Sequence, residues 1–405
     1  MELNKRAKSH HDSASVMEKL ARGPRDLNEY LRGISEKGKS RKKSSIYIHV
    51  PFCDKICTFC SMRRSLSNPT EDYHKLIIKE MENYSTLDYI KNSSFDAVYF
   101  GGGTPTTLET NGLREILRAL KNSFSFTDDA EFTIETTVTE LSEDKIDMFY
   151  KEGVNRFSVG VQTFSKRGRN LFGRKGDGEF AYDKLKKLKE AGFSNVNMDL
   201  IYSYENQSSE DLLEDLHKIY DLDLAGFSLY SLINMKNSSL GAAEGLDTDK
   251  RLFNLIGDNS EKEGYRFLEL TKMVKRDEYK YILSRHNGED TVPLGAAAGG
   301  SVDDIMMMNP VDIGEYRNSI DEFNKRKGML FSPMYKELSR IKGDLQRGII
   351  PTNYSMIKEK DQVFKYIGDL KKRGLAIEKE DKIFLTREGL FWGNNISKEF
   401  LELLT

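Results

Sequence analysis

The feature that most constrains the fold is a regular alternation of two hydrophobic periods between residues 46 and 232. Short β-branched runs predict strands, and the stretches between them carry apolar residues at three- and four-residue intervals, which is typical of helices with one buried face. The predicted strands are 46-IYIHV, 97-AVYF, 131-EFTIE, 156-RFSVGV, 196-VNMDLI and 227-FSLYSL. This alternation predicts βα units and a parallel sheet. Because six strands are too few for a closed eight-stranded barrel, we expect an α/β fold with a partial, open (β/α)6 TIM-like barrel.

The sequence on either side of this alternation has different residue patterns. These differences divide the chain into four predicted regions. Residues 1–44 contain twelve Lys or Arg against six Asp or Glu and predict a basic N-terminal arm, with two short helices separated at Gly23-Pro24. Residues 45–250 are predicted to form the barrel. Residues 251–334 connect it to the C-terminal region and include the small-residue stretch 294-LGAAAGG. Residues 335–405 predict a winged-helix-like α+β region, with two short strands joined at Glu380-Asp381.

Composition excludes several classes of protein. The formal net charge of −2 argues against a dedicated nucleic-acid binder, whose surface is usually strongly basic. The sequence has no run of ~18 uncharged apolar residues that would predict a membrane span. The first residues, MELNKRAKSHHDSASV, lack the apolar core of a signal peptide. We therefore expect a cytoplasmic protein without a disulfide framework.

All three cysteines of the chain lie within eight residues, 53-CDKICTFC. Cys53, Cys57 and Cys60 directly follow a predicted strand, so they belong to a loop at a strand's carboxyl end, where α/β sheets gather ligands. Three thiolates on a short loop can hold three irons of a 4Fe–4S cluster and leave the fourth iron open. A zinc site with a further ligand and a C-x-x-C redox pair are the alternatives that the spacing leaves open.

The spacing of the cysteines, with Phe59 before the last of them, resembles the radical S-adenosylmethionine (SAM) enzymes. The stretch 99-YFGGGTPT is similar to that family's glycine-rich segment after the second strand. The resemblance implies a barrel of the radical SAM type with two cofactors, a 4Fe–4S cluster and SAM. It makes Cys53, Cys57 and Cys60 both metal ligands and catalytic residues, because one electron from the cluster cleaves SAM to methionine and a 5′-deoxyadenosyl radical.

The same resemblance implies a set of SAM contacts at the strand ends. Tyr47 is expected beside the SAM that chelates the cluster, and Glu135 is expected to accept hydrogen bonds from the ribose hydroxyls. The other residues implied by the resemblance are Gly102, Gly103 and Thr104 at the methionine end, with Gln162, Arg174 and Asp199 completing the pocket. The residue types suit these roles, since a carboxylate accepts from two hydroxyls and an arginine fork binds a carboxylate.

Longer stretches indicate a branch of the family. YIHVPFC, FGGGTPT, NRFSVGVQTF and NVNMDLIY resemble the branch of the oxygen-independent coproporphyrinogen oxidases. Those oxidases carry a fourth cysteine in a Cys-Gly-Cys ending, which this chain lacks. The stretches 155-NRFSVGVQTFSKRGRNLFGRKGDG, 226-GFSLYSLINMKNSSLG and 385-LTREGLFWGNN resemble the heme-degrading anaerobilin synthases. This resemblance implies anaerobic opening of heme, iron release and a methylated linear tetrapyrrole.

The implied reaction uses SAM as both radical source and methyl donor, so two SAM molecules per chain are expected. The second is expected near Gly295, Ala297 and Gly299, although relatives have Gly-Ala-Gly-Ala-Gly where this chain has three consecutive alanines. His286 and Arg285 are the substrate candidates, and the pair His10-His11 is a further candidate for covering a bound heme. A small flavin or iron–sulfur protein is the expected electron donor.

Two other functions remain open on sequence grounds. One is oxidative decarboxylation of coproporphyrinogen, and the other is a heme chaperone that binds the cluster and SAM but transfers heme unchanged. In the chaperones of this branch a His-Asn pair followed by Tyr-Trp binds heme. Here His286-Asn287 is followed by Gly-Glu-Asp, so only half of that motif is present.

Overall fold

The computed structural model describes residues 3–7, 20–36, 43–60, 65–66, 69–233, 245–358 and 360–404. No helix within these ranges is both long enough and apolar enough to cross a membrane.

The described residues form a main sheet of thirteen strands. Its strands are β1 (Ala21–Asp26), β2 (Lys43–Val50), β3 (Ser94–Gly102), β4 (Phe126–Thr137), β5 (Arg156–Gln162), β6 (Asn195–Tyr202), β7 (Gly226–Ser231), β8 (Arg266–Glu269), β9 (Lys272–Val274), β10 (Asp290–Leu294), β11 (Gly299–Val302), β12 (Ile305–Met308) and β13 (Lys327–Phe331).

The six predicted strands are β2 to β7, and they lie side by side and parallel in chain order, which confirms the α/β prediction. A seventh parallel strand, β10, pairs with the outer edge of β2. Strands β11, β12, β13 and β1 extend this edge in antiparallel fashion, while β9 and β8 extend the other. The order of the described strands ends at β1 and β8 without closing, as expected for a partial barrel.

Helices connect the parallel strands and cover the sheet. Their bounds are α1 (Leu27–Glu36), α2 (Tyr73–Ser85), α3 (Asp88–Lys91), α4 (Thr110–Ser123), α5 (Glu143–Lys151), α6 (Lys166–Leu171), α7 (Gly178–Glu190), α8 (Ser209–Asp221), α9 (Leu246–Lys262), α10 (Lys280–His286), α11 (Ile313–Asn318), α12 (Met334–Gln346), α13 (Ser355–Lys358), α14 (Asp361–Lys372), α15 (Arg387–Phe391) and α16 (Gly393–Leu404). Helix α4 illustrates the predicted periodicity, because its buried side chains are spaced by three and four residues: Leu113, Ile116, Leu117 and Leu120.

Two local predictions differ from the structure. Gly23-Pro24 was expected to separate two helices, but both residues lie in β1, and this prediction is wrong for the described part of the arm. A proline is tolerated there because β1 is an edge strand, with β13 as its neighbour in the sheet. Strand β10 escaped prediction because its five residues, DTVPL, are few and contain Pro293.

The C-terminal region has the predicted winged-helix-like order. Helix α14 leads into strands β15 (Ala376–Lys379) and β16 (Lys382–Leu385), and α15 and α16 follow. Glu380 and Asp381 join the two strands with φ values of 49° and 60°, which are typical of a two-residue hairpin turn. A short strand, β14 (Ile349–Ile350), pairs with β16 and completes a separate three-stranded sheet.

A buried ion pair ties the added strands to the barrel. Glu80 of α2 and Arg326, just before β13, are almost completely buried and form a salt bridge. Glu80 Oε1 also accepts a hydrogen bond from Asn309 Nδ2 at 3.0 Å, and its Oε2 accepts from the Gly295 amide at 2.8 Å and the Tyr316 hydroxyl at 2.7 Å. This one carboxylate therefore connects a helix, the turn after β10 and the segment before β13.

Replacing Glu80 by Ala should lower the free energy of unfolding by about 3–5 kcal/mol, because Arg326 would remain buried without its partner. Glu82 lies on the same helix and is exposed, so Glu82→Ala is the matched control and should change stability by less than about 0.5 kcal/mol. Urea denaturation followed by circular dichroism measures both. Equal stability of the two variants would show that the ion pair does not hold the added strands.

Candidate functional site

The three cysteines lie on the loop after β2, and this loop is held by hydrogen bonds on both sides. Phe52 pairs with Ser65 in an isolated bridge, and the Cys53 amide donates to the Ser65 carbonyl oxygen at 3.0 Å. The Thr58 hydroxyl donates to the carbonyl oxygen of Leu171, at the end of α6, at 2.8 Å. All three cysteines are outside disulfides and partly exposed, so their thiols are accessible as ligands.

The glycine-rich stretch at the end of β3 lies directly against the start of the cysteine loop. The Thr104 amide donates to the Phe52 carbonyl oxygen at 2.7 Å, and the Thr104 hydroxyl lies 3.7 Å from Cys53 Sγ. A Cβ atom at Gly103 would lie only 2.5 Å from the Phe52 carbonyl oxygen, so only glycine allows this approach. Gly102 has φ +113°, a conformation that also favours glycine.

Arg174 connects the loop after β5 with the cysteines. Its Nη1 donates to Cys57 Sγ at 3.2 Å, and its Nη2 donates to the Gly160 carbonyl oxygen. The guanidinium therefore complements the negative charge that a thiolate ligand carries. Gln162 ends β5 with φ 75° and is buried in the wall beside Arg174.

Two buried side chains that the sequence analysis did not single out hold this loop in place. Arg169 donates to four backbone carbonyl oxygens, those of Val161, Thr163, Lys175 and Gly176. Asp215 of α8 accepts from the Thr163 hydroxyl at 2.7 Å and from the Phe164 amide at 2.6 Å. Burial raises the pKa of Asp215 to about 7. These bonds fix the backbone on both sides of Gln162 and Arg174, a role that no local sequence pattern indicates.

Two buried carboxylates, Glu135 of β4 and Asp199 of β6, line the same cavity from strands on either side of β5. Burial raises the pKa of Glu135 to about 8, and repulsion from Asp199 acts in the same direction. Burial also raises the pKa of Asp199, although the Lys272 ammonium group opposes this shift. The Tyr99 hydroxyl donates a hydrogen bond to the Glu135 carboxylate, which opposes the rise of its pKa. The pair offers hydrogen-bond acceptors to a ligand, and the charge of Glu135 depends on pH near neutrality.

These groups surround a cavity of about 340 Å³ at the carboxyl ends of the strands. Ten of the residues that the sequence analysis named line it: Cys53, Cys57, Cys60, Gly102, Gly103, Thr104, Glu135, Gln162, Arg174 and Asp199. Tyr47 lies outside this lining, next to Tyr99, and its hydroxyl contacts His49 Nδ1 at 2.9 Å. The residues predicted for the cluster and the first SAM therefore line one cavity, except for Tyr47, which lies behind its wall.

Apart from Phe59, the apolar and aromatic part of the lining was not predicted from the sequence. Its other members are Val138, Ile201, Tyr230, Leu232 and Ile233. Tyr230 and Ile233 are large hydrophobic residues, yet each is 45% exposed, so part of the apolar surface of the cavity is accessible to a ligand. Ile201 could have been predicted from the sequence, because it lies two residues after Asp199 in β6 and residues two apart in a strand point to the same face.

The stretch predicted for a second SAM lies between β10 and β11, next to the end of β2. Its first two amides are already engaged, since Gly295 donates to Glu80 and Ala296 donates to the Tyr73 hydroxyl at 2.9 Å. Ala296 is fully buried, whereas Ala297 is partly exposed and has φ 63°, in the left-handed region that favours glycine. Gly299 begins β11. The second SAM site stays a prediction.

The two substrate candidates end helix α10. His286 Nε2 lies 3.2 Å from Glu269 Oε1, and the Arg285 guanidinium donates to the Tyr281 hydroxyl at 3.1 Å. Their role in binding substrate stays a prediction. The pair His10-His11 lies outside the described residues.

The residues present fit a 4Fe–4S cluster better than a single metal ion. Three thiols face one cavity, and a cation lies beside one of them. Among the described residues, no three His, Cys, Asp or Glu side chains converge closely enough to hold one ion, whereas a cubane distributes its thiolates over separate irons.

Known proteins are similar to most of the chain. It is 29% identical over 383 residues to the anaerobilin synthase of Escherichia coli O157:H7, covering 90% of this chain and 85% of that protein. It is 27% identical over 381 residues to the heme chaperone HemW of Lactococcus lactis, covering 89% and 98%. The oxygen-independent coproporphyrinogen III oxidase of Escherichia coli K12 is 26% identical over 302 residues, which is 69% of this chain and 65% of that enzyme.

The fold is that of a solved structure. Coproporphyrinogen III oxidase HemN of Escherichia coli superposes with a TM-score of 0.77 and 22% identity, covering 93% of both chains. Residues 47–219 match the sequence profile of the Radical SAM superfamily. This range contains all three cysteines and every other cavity-lining residue as far along the chain as Asp199. The chain therefore carries a radical SAM domain, of the family that uses a 4Fe–4S cluster and SAM.

Proposed function

We propose that this protein is a radical SAM C-methyltransferase that opens heme under anaerobic conditions, releases iron and yields a methylated linear tetrapyrrole. The observation that carries this proposal is the similarity to an anaerobilin synthase over 90% of the chain. The side chains of Ile201, Tyr230, Leu232 and Ile233 line the same cavity as the cysteines and support a large, mostly apolar substrate, because ligand pockets are lined mainly by apolar and aromatic side chains.

The proposed roles of the site residues follow from their chemistry. Cys53, Cys57 and Cys60 would ligate the cluster, which when bound supplies the electron that cleaves SAM. Glu135 would accept hydrogen bonds from the ribose hydroxyls, most strongly when its carboxylate is ionised and both oxygens act as acceptors. Arg174 would fix the cysteine loop against β5, since its guanidinium donates both to Cys57 Sγ and to the Gly160 carbonyl oxygen.

The remaining contacts line the same wall. Gly102 and Gly103 would let a SAM methionine group approach the backbone, because neither position has a Cβ atom. Gln162 and Asp199 would complete the pocket. A second SAM near residues 295–299 would supply the methyl group, and a small flavin or iron–sulfur protein would supply electrons.

Two other functions have specific support. The chaperone is supported by 27% identity over nearly the whole of HemW from Lactococcus lactis. The oxidase is supported by the fold of HemN. The absence from this sequence of a Cys-Gly-Cys ending and of Tyr-Trp after His286-Asn287 favours the heme-opening enzyme over both.

The first prediction from this proposed function concerns the products. The protein, reconstituted with iron and sulfide under anaerobic conditions and supplied with reductant, SAM and heme, should consume heme. Mass spectrometry should detect an iron-free methylated tetrapyrrole, 5′-deoxyadenosine and S-adenosylhomocysteine. Intact heme retained by the protein would instead indicate the chaperone, and decarboxylation of added coproporphyrinogen would indicate the oxidase.

A second prediction concerns Cys57. The Cys57→Ala variant should lose the cluster and all 5′-deoxyadenosine formation, because two thiolates are too few to hold a cubane. Iron and sulfide analysis and a SAM cleavage assay measure this. Asp54→Asn, in the same loop, removes a salt bridge to the exposed Lys175 and should keep both properties. SAM cleavage by the Cys57 variant at the wild-type rate would contradict the assignment.

A third prediction uses the raised pKa of Glu135. Below pH 8 this side chain is mostly protonated, so SAM affinity should increase by up to about tenfold per pH unit as pH rises toward its pKa of about 8, and then level off. The Glu135→Gln variant shares any titration of SAM itself but should lack this increase. Calorimetric SAM binding at a series of pH values measures both proteins, and identical pH profiles would refute the ribose contact.

A further inference from the structure

Residues 3–7 of the N-terminal arm contact the C-terminal region of the chain. The Ala7 amide donates to Asn395 Oδ1 at 2.8 Å, and Asn395 Nδ2 donates to the Lys5 carbonyl oxygen at 3.0 Å. Asn395 belongs to α16. One side chain of this helix therefore bonds to the backbone on both sides of Arg6 and fixes the place of that residue.

The Arg6 side chain lies at the junction of the barrel and the C-terminal region, and it is only 9% exposed. Its guanidinium lies over the Phe391 ring of α15, 4.1 Å from the centroid, and its Nε donates to the Phe391 carbonyl oxygen at 2.9 Å. Its Nη1 donates to the Tyr202 hydroxyl at the end of β6 at 2.8 Å and to Asp249 Oδ2 on α9 at 3.0 Å. Arg6 therefore connects three elements that are distant in the sequence.

The two barrel residues that Arg6 contacts also bond to the wall of the cavity. Asp249 Oδ1 accepts a hydrogen bond from the Ser231 hydroxyl at 2.7 Å, and Ser231 lines the cavity. The next residue, Leu232, also lines the cavity, and its amide donates to the Tyr202 carbonyl oxygen at 2.9 Å. The end of β7, which carries most of the apolar wall, is therefore held from behind by Tyr202 and Asp249.

The charge of Arg6 matters because Asp249 is only 1% exposed. A buried carboxylate has a high free energy unless it is paired and hydrogen-bonded. Arg6 supplies the cation, and Ser231 supplies a hydrogen bond. Without the guanidinium, we expect the carboxylate to move toward water and to disturb its bond to the cavity wall.

We propose that Arg6 is a positioning residue for substrate binding, which neutralises Asp249 and thereby fixes the end of β7 against which the substrate lies. The inference rests on the proposed function in taking heme as that substrate. It gives the N-terminal arm a role in the site, although Arg6 itself does not line the cavity.

The first test measures heme and SAM binding separately, with the cluster-reconstituted full chain and without reductant. Arg6→Met should weaken heme binding about tenfold in absorbance titrations, because the end of β7 loses its support. Its SAM affinity, measured by calorimetry, should change less than about twofold, since most of the proposed SAM contacts lie on the cysteine loop, β3, β4 and the loop after β5. Arg22→Met, at an exposed arginine of the same arm, is the matched control and should bind both like the wild type.

A second variant separates the charge of Arg6 from its packing. Asp249→Asn in the Arg6→Met background removes the unpaired charge, and the Asn carbonyl oxygen can still accept from Ser231. This double variant should bind heme within about threefold of the wild type. Loss of packing alone would not be restored by this exchange.

Hydrogen exchange followed by mass spectrometry tests the wall without any heme. Peptides that contain Leu232 should exchange faster in Arg6→Met than in the wild type, and at the wild-type rate in the double variant, because their protection depends on how firmly the end of β7 is held.

Three results would overturn the positioning role. They are wild-type heme affinity in Arg6→Met, an equal loss of heme and SAM binding in that variant, and a double variant that recovers neither heme binding nor the protection of Leu232.

The proposed function fails separately. If heme binding depends on Arg6 as described but the product assay returns intact heme, the positioning role stands and ring opening falls. If the wild type opens heme while Arg6→Met keeps wild-type heme affinity and exchange, ring opening stands and the positioning role falls.

Discussion

The close approach of β3 to the loop after β2 is the constraint on which the site depends. Parallel pairing brings the ends of these strands to the same edge of the sheet, and the Thr104 amide then bonds to the Phe52 carbonyl oxygen. Only glycine fits at position 103, because any side chain would overlap that oxygen. The same pairing positions the first cysteine beside Thr104. The thiols and the cofactor-binding backbone therefore form one unit that neither strand could build alone.

Charge divides the interior into a supporting part and a part open to ligands. In the supporting part several buried charges form ion pairs, as with Glu80 and Arg326 or Arg156 and Asp277, and these pairs fix segments that are distant in the chain. At the cavity the balance is incomplete. Among the described residues no cation forms a salt bridge with Glu135 or Asp199, and burial, together with the repulsion from Asp199, raises the pKa of Glu135. Such incompletely balanced groups are typical of sites that a ligand completes.

The strands added outside the predicted barrel explain how the small-residue stretch is held. Strand β10 joins the open edge of the barrel, and the turn after it is fixed by Glu80 and Tyr73. This arrangement uses amides that the second SAM was expected to approach. A methyl donor at this place would have to contact side chains or carbonyl oxygens instead, with Ala297 in a backbone conformation that glycine adopts more readily.

The sequence by itself determined the parallel barrel, the cysteine loop and ten of the residues around the cavity, because hydrophobic period and motif spacing are local properties of the chain. Only the tertiary structure revealed β10, the clamp of Arg169 and Asp215, and the buried ion pair of Glu80 and Arg326. These features join residues far apart in sequence, and their side-chain types are ordinary for helices and loops. Whether a buried charge is paired depends on which segments pack together, and no local pattern carries that information.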